Sequence, residues 1–317
     1  MPLLPGLQPF VDSMPATSDV TIDEADVEAT RDFIHQMIDA SFRSLGEPGP
    51  AVASEVDRAV PVEDGEITVR IYTPDEDGPL PVHVYFHGGA FWLGTLEHSD
   101  DNCRRLAVHA RCVVVSVDYR LAPGAKFPRP VEDCYSALCW VVDHAAELSI
   151  DPSRVSVGGP SAGADLAAVT ALMARDRNGP ALVFQVLEVP VTDLTMGQPS
   201  IEENADGPML TKAAIAAYVE RYLDDPADAQ NPYASPMLAD DLSGLPPAIV
   251  MTAELDPLRD EGEAYARRLV DAGVAVEMHR WPGQFHGSQS MSKLIPDEVA
   301  AYHELLVAAL VRANTVL

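Results

Sequence analysis

One alternation constrains this chain more than any other feature. Short β-branched runs recur at 67-ITVRIYT-73, 81-PVHVYFHGG-89, 112-CVVVSVDYR-120, 154-RVSVGG-159, 182-LVFQVLEV-189, 247-PAIVMTA-253 and 274-VAVEMHRW-281. Several are apolar almost throughout, as strands buried on both faces are. Helical patterns lie between them, at 96–110, 131–148, 161–176, 257–272 and 297–313. In 131–148, Val131, Cys134, Tyr135, Leu138, Val141 and Val142 fall on one stripe. Strand–helix alternation predicts the α/β class, with a mostly parallel sheet flanked by helices. At 317 residues the chain is long enough for one large unit with a substantial core.

Two segments break the alternation. At the N-terminus, 21-TIDE-24 has the form of a capping box and a helical run to about Phe42 follows. The second spans about 195–238, between two strands. It holds the turn-rich 196-MGQPSIEENADGPM-209, a helix with Ile215, Tyr218, Val219 and Tyr222 on one face, and 225-DPADAQNPYASP-236. An excursion that long inside a compact fold is usually functional. Residues 1–45 and 195–238 are therefore expected to form a helical cap over the carboxyl edge of the sheet, with 46–194 and 239–317 as the core.

The charge balance of 21 basic against 49 acidic residues, net −28, argues against nucleic-acid or anionic-membrane partners. Only Lys126, Lys212 and Lys293 are lysines. That bias fits salt adaptation or a codon-biased genome, and the second is the simpler reading. No run reaches the roughly 18 apolar residues of a membrane span. The proline-broken N-terminus lacks a basic n-region, so a cytoplasmic location is expected. Cys103, Cys112, Cys134 and Cys139 form no C-x-x-C pair and are expected to be buried free thiols, not a zinc site. Neither an H-E-x-x-H motif nor a phosphate-binding glycine loop is present, so no cofactor or metal is expected.

The chemistry concentrates around 158-GGPSAGADLAA-168. Gly159-Pro160-Ser161-Ala162-Gly163 follows a strand and opens a helix, the context that a G-x-S-x-G nucleophile elbow demands. Flanking residues must be small because backbone segments crowd the turn, and the hydroxyl is left at its tip. The alternative is a tight strand-to-helix turn with no chemistry.

A serine nucleophile needs a base and the base an orienting carboxylate, in the chain order serine, acid, histidine. Three histidines follow Ser161. His303 falls mid-helix and His279 within a strand, whereas His286 lies in the loop 282-PGQFHGS-288 past a strand's carboxyl end, where parallel sheets build ligand sites. His286 is the expected base. The loop after the preceding strand, 254-ELDPLRDEG-262, offers Glu254, Asp256 and Asp260. Asp256 is the best placed, although an Asp there also serves as a helix cap. The glycine-rich 86-FHGGAFWLG-94 supplies Gly88, Gly89 and Ala90 as candidate oxyanion donors, joined by the amide of Ala162. His87 is read as a loop brace.

As a set, HGGAFWLG (87–94), DYRLAPGAKFP (118–128), GGPSAGADLAA (158–168), DPLRDEG (256–262) and GQFHGS (283–288) resemble the hormone-sensitive-lipase-like branch of the α/β-hydrolases, the bacterial carboxylesterases of family IV. The resemblance implies an eight-stranded hydrolase sheet, a helical cap and no cofactor. Carried over residue by residue, it implies Ser161, Asp256 and His286 as the triad and Gly89, Ala90 and Ala162 as oxyanion donors with Gly88 beside them. Pro160 stands where the family usually has Asp or Thr, and Ala164-Asp165 where it has Gly-Asn. Asp165 is read as structural.

The implied activity is hydrolysis of short- to medium-chain carboxylic esters through an acyl-enzyme, with a small-molecule ester as the partner. Phe91, Trp92, Tyr218 and Tyr222 are candidate liners of a bounded apolar pocket, or else core. Amide or lactone hydrolysis by the same groups is the alternative. A non-catalytic ligand receptor is a further reading, which the presence of His286 disfavours. Homodimers are usual among such relatives, but no interface is legible.

Overall fold

The computed structural model describes residues 2–14, 27–38 and 43–315. The capping box at 21–24 and the end of the N-terminal helical run lie outside these. Eight strands form one sheet: β1 (Ser54–Val62), β2 (Gly65–Thr73), β3 (Leu80–Phe86), β4 (Val113–Asp118), β5 (Ile150–Pro160), β6 (Phe184–Glu188), β7 (Ala248–Ala253) and β8 (Val276–Trp281). The order across the sheet is β1-β2-β4-β3-β5-β6-β7-β8. β2 runs antiparallel to both β1 and β4, and β4 through β8 are parallel.

Seven of the strands coincide with the seven expected runs. β1 was not among them. Its sequence SEVDRAVPV is charged and carries a proline, and only Val60 of its nine residues is buried. An edge strand pairs on one side only and leaves its other flank to water, so it needs no apolar run.

Nine helices are described: α1 (Gln8–Ser13), α2 (Val27–Met37), α3 (Leu96–Ala110), α4 (Arg129–Asp143), α5 (Ala162–Asp176), α6 (Pro199–Glu203), α7 (Lys212–Tyr222), α8 (Arg259–Asp271) and α9 (Pro296–Thr315). The strand pleat sends alternate side chains to opposite faces, and two cores result. On one face Val82, Val84, Val115, Val157 and Val250 pack with α4, α5 and α8. On the other, Tyr85, Val114, Val186, Ile249 and Met251 pack with α3 and α9. In α4 the expected stripe is buried at Val131, Cys134, Leu138 and Val141 and half-buried at Tyr135 and Val142. All four cysteines are free; three are buried, and Cys139 is half-buried instead.

The segment 195–238 carries α6 and α7. The helix α6 falls in the stretch read as turns, because Pro199 at its start supplies a preset φ and needs no N–H. Thr211 caps α7 by accepting the Ala214 amide. Along α7, Ile215 and Tyr222 are buried, and Tyr218 and Val219 are half-buried against the core. Among the described residues no helix is long and apolar enough to cross a membrane.

Candidate active site

Ser161 stands between the end of β5 and the first residue of α5 with φ 56° and ψ −120°. A non-glycine residue is rarely held there, and only a surrounding structure that fixes the backbone keeps it so. The fixing contacts are visible. The Ser161 amide donates to the Glu188 carbonyl at 2.8 Å, and its own carbonyl accepts the amides of Ala164 and Asp165. The end of β3 crosses directly over the turn: a Cβ added at Gly159 or at Gly163 would lie 2.0 Å from the Phe86 carbonyl oxygen. That contact, not flexibility, explains the small residues around the serine.

His286 follows β8 on a loop, and Asp256 follows β7. The His286 Nε2 is 3.0 Å from the Ser161 Oγ, and its Nδ1 is 2.8 Å from the Asp256 Oδ2. The structure thus joins three residues separated by up to 125 positions into one hydrogen-bonded chain. Asp256 is buried at 1 % exposure, and its Oδ1 accepts the Leu258 amide at 2.9 Å. The helix-cap role and the contact with histidine therefore coexist on one carboxylate. The loops of Asp256 and His286 are tied by the Leu255 amide donating to the Gln284 carbonyl at 2.8 Å.

The competing acids point elsewhere. Glu254 accepts the Gly283 amide at 2.8 Å, and Asp260 binds Arg259 and the Ser200 amide. Of the other histidines, His279 packs on Trp281 with ring centroids 4.2 Å apart. His303 is held low, at about 4, chiefly by burial.

The candidate oxyanion residues lie on the loop after β3. Gly89 accepts the amides of Trp92 and Leu93 at 3.1 and 2.8 Å, which closes a tight turn with Ala90 at φ 53° and Phe91 at φ 64°. Gly88 lies against the elbow, where an added Cβ would be 3.0 Å from the Pro160 carbonyl oxygen. Ala162 is the first residue of α5, so its N–H is one of those that helix geometry leaves without an intrahelical acceptor. His87 braces the loop: its Nδ1 donates to the Gly88 carbonyl at 2.7 Å and its ring stacks on Tyr119 at 4.3 Å. Burial lowers it to about 4, against a smaller raising effect of the Gly88 carbonyl, and it stays neutral.

Phe91, Trp92 and Tyr222 are core rather than exposed pocket wall. All three are at most 3 % exposed, and Phe91 stacks on Tyr222 at 3.9 Å. Asp165 is fully buried, and among the described residues neither of its carboxylate oxygens has a hydrogen-bond partner. Burial, with Glu261 adding to it, raises its carboxyl well above the usual carboxylate range. Nothing in the placement of Asp165 gives it contact with the serine oxygen.

Sequence reasoning missed the supports of the site. Asn204 donates to the Asp256 carbonyl at 3.1 Å, and Ser200 Oγ to the Pro257 carbonyl at 2.6 Å, so α6 is docked on the acid loop. From α2, Arg31 Nε donates to the Trp92 carbonyl and His35 Nε2 accepts the Gly94 amide. No spacing or motif marks such residues.

Residues 83–290 match the family model of the alpha/beta hydrolase fold. The chain belongs to this family, on its hormone-sensitive-lipase-like branch. It is 42% identical to the carboxylesterase NlhH of Mycobacterium tuberculosis, over 98% of this chain and 97% of that protein. The esterase LipI of the same organism is 40% identical, over 96% of this chain and 98% of its own length. Among solved structures, a hyperthermophilic esterase from the archaeon Pyrobaculum calidifontis superposes with a TM-score of 0.90 at 41% identity, covering 98% of this chain and 99% of its own.

Proposed function

We propose that the protein cleaves short- to medium-chain carboxylic esters with Ser161 as nucleophile, His286 as base and Asp256 as its orienting acid. Carboxylic ester hydrolysis is the activity of the chain; the residue roles and acyl range are the reading added here. The observation that carries them is the hydrogen-bonded chain from Ser161 Oγ through the imidazole to a buried carboxylate, at 3.0 and 2.8 Å.

In this reading His286 keeps Nδ1–H toward Asp256, which leaves Nε2 to take the hydroxyl proton. As the proton moves, Oγ bonds the ester carbonyl carbon and the carbonyl electron pair moves to oxygen. The amides of Gly89, Ala90 and Ala162, with Gly88 beside them, receive that negative charge. Such donors, fixed in advance, are worth about 3–4 kcal/mol each. Collapse expels the alcohol oxygen, which takes the proton from His286. Water then repeats the sequence on the acyl-enzyme, and the acid leaves.

The N-terminal helices and the 195–238 insertion act as a cap in this reading. Supporting contacts are the Leu4 amide on the Gly283 carbonyl, the stack of Phe10 on Phe285 beside His286, and α6 on the acid loop. The preference for small acyl groups over long chains rests on that cap bounding the site. A cytoplasmic, homodimeric enzyme without nucleic-acid partners completes the proposal, and rests on composition and family resemblance alone.

The test is hydrolysis of p-nitrophenyl esters from acetate to palmitate, wild type beside Ser161→Ala. A short-chain maximum lost in the variant is expected. Undiminished turnover by Ser161→Ala would overturn the assignment.

A further inference from the structure

The backbone of the 89–94 loop is held at three points by neighbouring segments. Arg31 donates from Nε to the Trp92 carbonyl at 2.8 Å and from Nη2 to the Ala122 carbonyl at 2.6 Å. Ala122 in turn donates its amide to the Phe91 carbonyl at 2.9 Å. One guanidinium therefore bridges the exit of the turn to the neighbouring 121–123 segment. His35, one helical turn beyond Arg31, accepts the Gly94 amide at 3.2 Å. Val27 and Ile34 pack on the core from the same face of α2, while Phe33 on the opposite side is 56 % exposed.

The insertion helix α7 holds the side chains of the same two residues. Tyr222 stacks on Phe91, and the Arg221 guanidinium lies 4.3 Å from the Trp92 ring centroid. The Trp92 carbonyl is thus held by α2, the Phe91 carbonyl by the 121–123 segment that Arg31 also binds, and the two side chains by α7. Two non-glycine residues of this turn, Ala90 and Phe91, have left-handed backbone angles, so the turn is not the chain's preferred conformation and needs outside contacts to persist.

We infer that Arg31 is a positioning residue for the oxyanion loop: its fork on the Trp92 and Ala122 carbonyls aims the amides of Gly89 and Ala90. Helix α2 is then part of the apparatus of turnover and not only a cover. This rests on the ester-hydrolase reading above. A planar guanidinium donates in two directions at once, which a lysine ammonium on a flexible stem does not reproduce. Displacement of the amides acts on the charge that develops during reaction and leaves substrate contacts in place.

The experiment compares Arg31→Ala and Arg31→Lys with wild type on p-nitrophenyl acetate and butyrate, with Ser161→Ala as the blank. Arg31→Ala is expected to lower kcat by about 10- to 100-fold with KM held within about threefold, because a misplacement of about 1 Å has that effect. Inhibition by a trifluoromethyl ketone, whose serine adduct carries the oxyanion, should weaken by the same factor. Arg31→Lys should fall between the two. A folded Arg31→Ala enzyme with wild-type kcat, or with its whole loss in KM, overturns the inference. Should Arg31→Ala not fold, Arg31→Gln, whose one amide reaches a single carbonyl, carries the same comparison. Hydrogen exchange of the 87–94 segment needs no substrate. It should quicken in the Arg31 variants, and unchanged exchange overturns the inference even if wild type turned over no ester.

Discussion

The Nδ1 of His286 lies 2.8 Å from one oxygen of Asp256, and the other oxygen of that carboxylate holds the Leu258 amide at 2.9 Å. The acid is therefore locked in place by its own loop before it meets the imidazole. Asp256→Asn keeps the shape but can present an NH2 to Nδ1, which favours the tautomer with the proton on Nε2. That imidazole cannot accept from Ser161. We expect kcat to fall by about 10⁴-fold, with the fold and Tm little changed. Steady-state kinetics with a thermal melt checks this; a loss below tenfold would remove Asp256 from the orienting role.

Gly163 faces the carbonyl oxygens of Phe86 and His87, which an added Cβ would approach to 2.0 and 2.8 Å. Both neighbours are backbone and neither can swing aside. Gly163→Ala must therefore push the β3 loop off the elbow. Overpacking of side chains costs about 1–3 kcal/mol, and a backbone clash should reach the top of that range or beyond it. Urea unfolding measures the cost. A variant as stable as wild type would mean that the loop moves freely, contrary to the anchoring described above.

Much of this was legible in the chain. Most of the seven strands announced themselves because both of their faces are buried, β2 and the edge strand β8 through β-branched or alternating runs despite partial exposure, and Ser161 and His286 because each stands in a loop at a strand's carboxyl end. What was not legible has physical causes. The edge strand β1 exposes eight of its nine residues wholly or in part and so has no apolar signature. The separation of Asp256 from Glu254 and Asp260 depends on where each carboxylate points, which spacing does not encode. The sequence leaves Phe91, Trp92 and Tyr222 open between pocket liner and core because aromatic character is the same in a wall and in a core. Arg31 carries no signal, since its partners are backbone carbonyls.

Glu188 ends β6 beside the elbow, buried at 3 % exposure, with Oε2 accepting the Tyr302 hydroxyl at 2.9 Å. Burial pushes its carboxyl up to about 7, against a smaller lowering by Tyr302. The unfolded chain ionises near 4.3. Between these values the unfolded state has released the proton that the folded state keeps, so stability falls as pH rises. Full stability holds below about 4.3, and the loss is complete above about 7. Glu188→Gln stays neutral and still accepts from Tyr302. Its stability relative to wild type should rise by about 3 kcal/mol from pH 4 to pH 8, on the scale of about 1.4 kcal/mol per pH unit. Chemical denaturation at several pH values reads the difference; a constant offset would contradict a buried neutral Glu188.

Salt acts on the whole surface. The chain has 49 acidic and 21 basic residues, so even complete one-to-one pairing leaves 49 − 21 = 28 carboxylates unpaired. Pairs such as Arg177 with Glu132 at 2.6 Å and Arg70 with Asp57 at 2.7 Å are weakened by salt. Partly exposed pairs of this kind contribute only about 0–1 kcal/mol each. Repulsion among the excess carboxylates opposes the compact state, and the screening length shortens from about 10 Å at 0.1 M to about 3 Å at 1 M salt. Repulsion is the larger effect here because acids outnumber their partners more than twofold. Tm at neutral pH should therefore climb by several degrees from low salt to molar NaCl, and KCl should act equally, since screening depends on ionic strength and not on the cation. A flat or falling Tm would mean that the ion pairs dominate the acidic excess.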